Sequence, residues 1–198
     1  RKFLGLWNAY VFYTTYAVLD KPDVKKKVDL NNLQQNDKWL LSRVNQFVKN
    51  SDEFYSTQQF NLIIRDFENL TDDLTNWYIR TNRKRFWKSD NEEDKNNAYY
   101  TLYHSLKKIV IAMAPITPFM CEHIWQNLVR GSEENEVQSV LLCDFPKPFE
   151  IEENGVIEKT EIIRQVINIA QRLRNETQIK IKQPLKTMYV CASINAEN

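Results

Sequence analysis

The sequence predicts a mostly α protein, an antiparallel helical bundle followed by a small, partial α/β extension. Three observations carry this. Only three Gly and six Pro occur in 198 residues, too few for a turn-rich β fold. Apolar residues recur three and four positions apart through most of the chain, the spacing of a buried helical face. Strict apolar–charged alternation is confined to the last stretch, around Ile179-Lys180-Ile181-Lys182, as in a half-buried strand.

Residues Phe3 to Leu19 read as the first helix, with Phe3, Leu6/Trp7, Tyr10, Thr14 and Ala17/Val18 on one face. Asp20-Lys21-Pro22-Asp23 stops it, because proline lacks an N–H and restricts the residue before it. The polar stretch up to Gln35 reads as a connection. Its Lys25-Lys26-Lys27 tract reads as solvated, although a polybasic loop could touch phosphate. A second helix is expected from an N-cap at Asn36 or Asp37 to about Tyr55, with Leu40, Val44, Phe47/Val48 and Phe54 inward. Ser56-x-x-Gln59 has the form of a capping box opening the third helix.

That third helix is the centre of the chain. Ile63, Phe67, Leu70, Leu74 and Trp77/Tyr78 mark its buried face, and it is expected to end near Trp87 or Lys88. On a 3.6-residue wheel Arg80, Arg83, Lys84 and Trp87 fall together on a neighbouring face. Earlier residues of that face, Asn69, Asp72, Asp73 and Asn76, are acidic or neutral, so it changes sign along the helix. Two readings stay open: cations offsetting the C-terminal end of a helix dipole, or a phosphate-gripping surface with an indole for stacking.

Ser89-x-x-Glu92 reads as the next helix start, with Ala98, Leu102, Leu106, Ile109 and Met113 on the inner face and Pro115 ending it. Thr117-Pro118 opens a fifth helix through Ile124, Trp125 and Leu128. Gly131 to Ser139 is a polar loop, and Val140-Leu141-Leu142 a possible extended segment. Pro146 and Pro148 place a domain boundary near residue 150, giving a bundle over 1–150 and a smaller region over 151–198. In the latter, Ile162/Ile163, Val166, Ile169/Ala170 and Leu173 mark a sixth helix, and Ile179–Lys182 and Met188–Cys191 are strand candidates.

The formal net charge is +1, so any nucleic-acid contact must come from a local patch and not from bulk charge. Cys121, Cys143 and Cys191 are odd in number and far apart, which argues against a disulfide framework and for a reducing, cytoplasmic setting. No apolar run reaches the ~18 residues of a membrane span, and Arg1-Lys2 does not open a signal peptide. The absence of an initiator Met suggests an excised fragment. No metal site is expected. Cys121 and His123, two apart on a helix, point about 160° apart, and His104 lies off its helix's apolar stripe. There is no Gly-rich phosphate loop and no nucleophile elbow, so no catalytic residue is expected. Most of the five tryptophans, Trp7, Trp39, Trp77, Trp87 and Trp125, are expected in the core, Trp87 being the best surface candidate because it shares the basic face.

Asn76-Trp77-Tyr78-Ile79-Arg80 followed by Asn82-Arg83-Lys84-Arg85-Phe86-Trp87 resembles the anticodon-binding region of isoleucyl-tRNA synthetases. Thr81 stands where that family usually has another basic residue. Arg1-Lys2-Phe3 with Leu6-Trp7-Asn8, Asp37-Lys38-Trp39-Leu40-Leu41-Ser42-Arg43, and Ala114-Pro115-Ile116-Thr117-Pro118-Phe119 with Glu122 resemble other parts of the same region. Arg174 with Ile179-Lys180-Ile181-Lys182-Gln183-Pro184-Leu185 resembles its downstream junction. Valyl relatives share the Trp-Tyr-Ile core but typically follow it with an acidic residue. The resemblance implies a bundle of the class Ia anticodon-binding type, with tRNA for isoleucine as partner. It nominates Arg80, Arg83, Lys84, Arg85 and Trp87 as tRNA-binding residues, Arg85 lying close enough to the buried face to pair internally. It implies no cofactor in this chain. ATP with Mg would be a substrate of a monomeric parent enzyme, whose two ATP-handling signatures are absent here, and the chain's other partner would be that enzyme's catalytic domain. Family members can carry a zinc-binding tail, which nothing here matches. The competing readings are a scaffolding or protein-interaction bundle, and the equivalent region of a valyl-tRNA synthetase.

Overall fold

A computed structural model describes residues 3–88, 91–132, 136–152 and 154–191. The chain divides into two compact units, residues 1–154 and 155–198. Among the described residues the first is a helical bundle and neither contains a β-strand.

In the first unit α1 (Leu4–Asp20) leads through a 3₁₀ turn (Leu30–Asn32) into α2 (Gln35–Ser56). Next, α3 (Phe60–Asp72) passes without a break through a π-helical segment (Asp73–Ile79) into α4 (Arg80–Trp87). After α5 (Glu92–Met113), α6 (Pro118–Ile124) also runs into a π-helical segment (Trp125–Val129), followed by a 3₁₀ turn at Val140–Leu142. The α2 helix is antiparallel to the α3–α4 rod: Asn50 bonds Asp66 at 2.9 Å, Arg43 bonds Asp73 at 2.9 Å, and Arg85 bonds Asp37. Likewise α1 and α5 are antiparallel, with Lys95 on Asp20 at 2.8 Å at one end and Tyr13 against Tyr103 further along.

The inward face of the α3–α4 rod is Ile63, Phe67, Leu70, Leu74, Tyr78, Asn82 and Phe86, all buried. From Leu70 onward every step is four residues. In an α-helix each such step overshoots a full turn by about 40°, so four in a row would carry Phe86 to the solvent side. The π-helical turns at Asp73–Ile79, with their wider i→i+5 closure, absorb that drift. Phe86 stays inside, edge-on to Phe12 and Tyr99 with ring centroids 5.2 and 5.0 Å apart.

Several local expectations are corrected. Ser56 does not cap α3: its hydroxyl donates to the Glu53 carbonyl at 2.7 Å, within α2. The α2 helix opens one residue before Asn36, and Asp37 is no cap. Its carboxylate is buried in the bundle, which holds a stronger partner for it than its own backbone. Asn91 caps α5, accepting from the Asp94 N–H at 3.1 Å; Ser89, the expected start, lies outside the described residues. Val140-Leu141-Leu142 is a 3₁₀ turn, because Glu122 takes the Val140 N–H at 2.9 Å and Ser139 caps the turn. Thr117 stands before Pro118 as expected, but its hydroxyl donates back to Met113.

In the second unit Gly155, at φ 65°, leads into α7 (Val156–Glu176); glycine adopts this left-handed backbone without the Cβ penalty. Neither strand candidate is a strand. The Arg174 guanidinium draws the carbonyls of Lys180 (3.0 Å) and Gln183 (2.8 Å) onto one nitrogen, and the Gln183 N–H closes a turn on the Lys180 carbonyl at 2.9 Å. Met188–Cys191 has no ladder partner among the described residues.

Where α1 crosses α3, a Cβ on Gly5 would lie 2.8 Å from Thr71 Cβ. Gly5→Ala is therefore expected to cost ~1–3 kcal/mol through overpacking, read as a lower urea midpoint at unchanged slope.

Candidate nucleic-acid interface

The helix phase set by the π-helical turns sorts the cations of the central motif. Arg80, Arg83, Lys84 and Trp87 lie on the outside of α4, and Trp87 is 72% exposed. Among the described residues, Arg80, Arg83 and Lys84 have no ion pair or side-chain hydrogen bond. Three cations within five residues, beside an open indole and uncovered by carboxylates, can grip phosphate oxygens and offer a base a stacking plane.

Arg85 points the other way. Its Nε donates to Asp94 Oδ2 at 2.9 Å. Nη1 donates to Asp37 Oδ1 at 2.9 Å and Asn82 Oδ1 at 3.1 Å. Nη2 donates to Asp37 Oδ2 at 2.8 Å and Asp94 Oδ1 at 2.7 Å. The five N–H donors of a guanidinium are thus all engaged, in a side chain that is 10% exposed against a carboxylate that is 0% exposed. The structure places Arg85 inside, held by two carboxylates, the internal pairing that its position near the buried face allowed. Burial disfavours its charge, but hydrogen bonds and Coulomb attraction from Asp37 outweigh this and hold its pKa above the ordinary arginine value.

Tyr78 completes the cluster, its hydroxyl donating to Asp37 Oδ1 at 2.6 Å. Burial, reinforced by the Asp37 charge, raises the Tyr78 pKa well above its usual value, so it remains a donor. Gln34, just before α2, donates to Asp94 Oδ1 at 2.7 Å. The Arg85–Asp37 pair thereby ties together the start of α2, the π-helical turns, α4 and the first turn of α5. Asp37, Tyr78, Asn82 and Asp94 were not identified from sequence as parts of this site. The signal available was Arg85's position near the buried face, which requires an internal acid.

Of the tryptophans, Trp39 and Trp125 are buried, Trp7 and Trp77 half-buried, and Trp87 alone is exposed. His123 stacks on Trp7 at 5.4 Å between centroids, and the described residues hold no cluster of three or more His, Cys, Asp or Glu able to bind a metal ion. Cys121 is buried, with its thiol pKa pushed up to about 11 by desolvation; it is a core residue. No helix among the described residues is long and apolar enough to cross a membrane.

The two sides of α4 differ in what substitution does to folding. Arg85→Met leaves the buried Asp37 carboxylate without its cation and is expected to cost ~3–5 kcal/mol. Arg83→Met and Lys84→Met, on the open side, are expected to stay within ~0.5 kcal/mol of the parent chain. Urea unfolding of the three variants distinguishes these outcomes.

A family model for the anticodon-binding domain of tRNA ligase matches residues 37–189, opening on the aspartate that holds Arg85. An isoleucine–tRNA ligase of Treponema pallidum is 40% identical over 202 residues and 94% of this chain. Isoleucine–tRNA ligases of Clostridium tetani and Clostridium novyi are each 36% identical, over 195 and 192 residues, and cover 96% of it. The chain spans 18% of the length of each of these relatives. With the match extending from the second helix of the bundle into the second unit, the chain belongs to the family of anticodon-binding domains of tRNA ligases.

Proposed function

We propose that this chain is the anticodon-binding region of an isoleucine–tRNA ligase and that the outer face of α4 lies against tRNA for isoleucine. The observation that carries the reading is the set of exposed cations Arg80, Arg83 and Lys84, without an ion pair among the described residues, beside the exposed Trp87 ring. The similarity to isoleucine–tRNA ligases supports the choice of amino acid.

The physical role is recognition. Arg80, Arg83 and Lys84 neutralise backbone phosphates and set the register of the RNA, a term that carries no sequence information by itself. Unstacked anticodon bases are read by stacking and by hydrogen bonds to their edges, as in other recognition of single-stranded loops. Trp87 supplies a stacking plane. Arg85 does not touch RNA in this scheme; it fixes the pitch of the helix that does. Joining isoleucine to tRNA with ATP and Mg as substrates is assigned to the remainder of a cytoplasmic, monomeric parent enzyme, on whose catalytic domain the bundle would also rest.

The test is binding of tRNA for isoleucine, and of a tRNA with a different anticodon, to the 198-residue chain at several salt concentrations. Arg83→Glu or Lys84→Glu is expected to weaken binding to both RNAs and to reduce the slope of log affinity against log salt by about one. Trp87→Ala is expected to lose ~1–3 kcal/mol of binding without changing that slope. Unchanged affinity and slope in all three variants would refute RNA docking on α4 and favour a protein-docking bundle.

A further inference from the structure

The lysine tract between α1 and α2 is a pinned loop, not a loose connection. Val24 and Leu33 anchor it in the core at either end. The His104 ring nitrogen lies 3.1 Å from the Val24 carbonyl oxygen. Asp23 accepts the Lys25 N–H at 3.1 Å, and Asp29 accepts the Asn31 N–H and the Asn32 amide at 3.0 Å each.

The three lysines do not share a surface. Lys25 lines a cleft with Thr14 and Asn127. Lys26 and Lys27 line a separate cleft of ≈ 110 Å³, together with Asn32 of the loop and Asn96 and Asn97 of α5. Asp23, Asp29 and Glu93 also line it; Asp23 and Asp29 accept hydrogen bonds from their own loop, and Glu93 is exposed. Two ammonium groups and amide N–H donors suit phosphate oxygens. The three carboxylates oppose a free, multiply charged anion. They fit a singly charged phosphodiester that neighbouring contacts also hold.

The cleft and α4 share a neighbour in the first turns of α5. Asn96 and Asn97 follow Asp94 by two and three residues on α5, and Asp94 is the residue that binds both Arg85 and Gln34 at 2.7 Å. The loop, the first turns of α5 and the end of α4 therefore meet at one end of the bundle. We infer that Lys26 and Lys27, with the amides of Asn96 and Asn97, form a second anchor for a backbone phosphate of the RNA that lies against α4. This rests on the tRNA-binding reading of α4 and extends it to a second element.

The test measures salt-dependent binding of a transcript of tRNA for isoleucine to the 198-residue chain. Lys26→Gln/Lys27→Gln is expected to lower affinity several-fold and to reduce the salt slope by about one to two, whereas Lys25→Gln leaves both unchanged. Asn96→Ala/Asn97→Ala is expected to lower affinity at an unchanged slope. Inorganic phosphate is expected to compete no better than chloride at matched ionic strength. If Lys26→Gln/Lys27→Gln binds like the parent chain while Arg83→Glu still weakens binding, the second anchor is wrong and the α4 surface stands. An equal loss in Lys25→Gln would show diffuse charge and no site, and specific competition by phosphate would show a free-anion site; either overturns the inference. If the α4 variants also have no effect, the tRNA reading itself fails.

Discussion

The buried pairing of Arg85 with Asp37 is the constraint on which this end of the bundle depends. A guanidinium and a carboxylate removed from water lose hydration that their mutual attraction offsets only if every remaining donor and acceptor is satisfied. Here Asp94, Asn82 and Tyr78 supply the missing partners. The geometry is demanding in a way an apolar contact is not, because a planar fork must meet two carboxylates and an amide at once. It fixes the rotation of α4 about its axis as well as its distance from α2. The outward direction of Arg80, Arg83, Lys84 and Trp87 follows from where Arg85 is held.

The π-helical turns of the rod make that pairing possible. Without the extra residue of the wider turn, Tyr78, Asn82 and Arg85 could not all face Asp37 while Leu70 and Leu74 face the core. Such turns are uncommon and often sit at functional sites. In this chain the turn immediately precedes the basic face and sets its phase. The acidic and neutral residues Asp72, Asp73 and Asn76 lie before or within it. Asp73 is paired with Arg43, and Asn76 bonds Asp72, so the acids of the rod are occupied locally instead of covering the cations beyond.

How much of this was legible follows from which forces act locally. Apolar spacing located the helices, since Leu40, Val44, Phe47, Ala98, Leu102, Leu106, Ile109 and Met113 all point inward as their periodicity requires. Caps were less legible: Ser56 and Asp37 each have cap chemistry, but Ser56 found a carbonyl in its own helix and Asp37 a cation far along the chain. The basic face was legible because Arg80 to Trp87 lies within one unbroken α-helical stretch, where wheel geometry holds. Arg85's role was only half visible. Its wheel position pointed inward, but the acids that receive it are 48 and 9 residues away, a separation no local pattern encodes. The π-helical turns left a trace in the run of four-residue spacings from Leu70 to Phe86, which a fixed 3.6-residue wheel smooths over. The strand reading of Ile179–Lys182 failed because alternation describes a face, whereas a strand also needs a neighbour for its N–H groups.

A domain with a net charge of +1 can still select a polyanion if its cations differ in their freedom. Lys95, Lys107, Arg43 and Arg85 are tied to carboxylates within the fold, and each such pair is electrically quiet at a distance. Among the described residues Arg80, Arg83 and Lys84 are not, so on the outer face of α4 their charges act without an ion-pair partner. Pairing Asp37, Asp73 and Asp94 with the cations that set the architecture leaves Arg80, Arg83 and Lys84 available without requiring a basic protein overall. If α4 docks RNA as proposed, weak bulk attraction would also limit binding to unrelated nucleic acid, because affinity would then depend on a polyanion whose phosphates match the spacing along α4. In the proposed function the buried Arg85 and the exposed Arg83, two residues apart on one helix, serve opposite ends of the same recognition: one holds the spacing, and the other presents it.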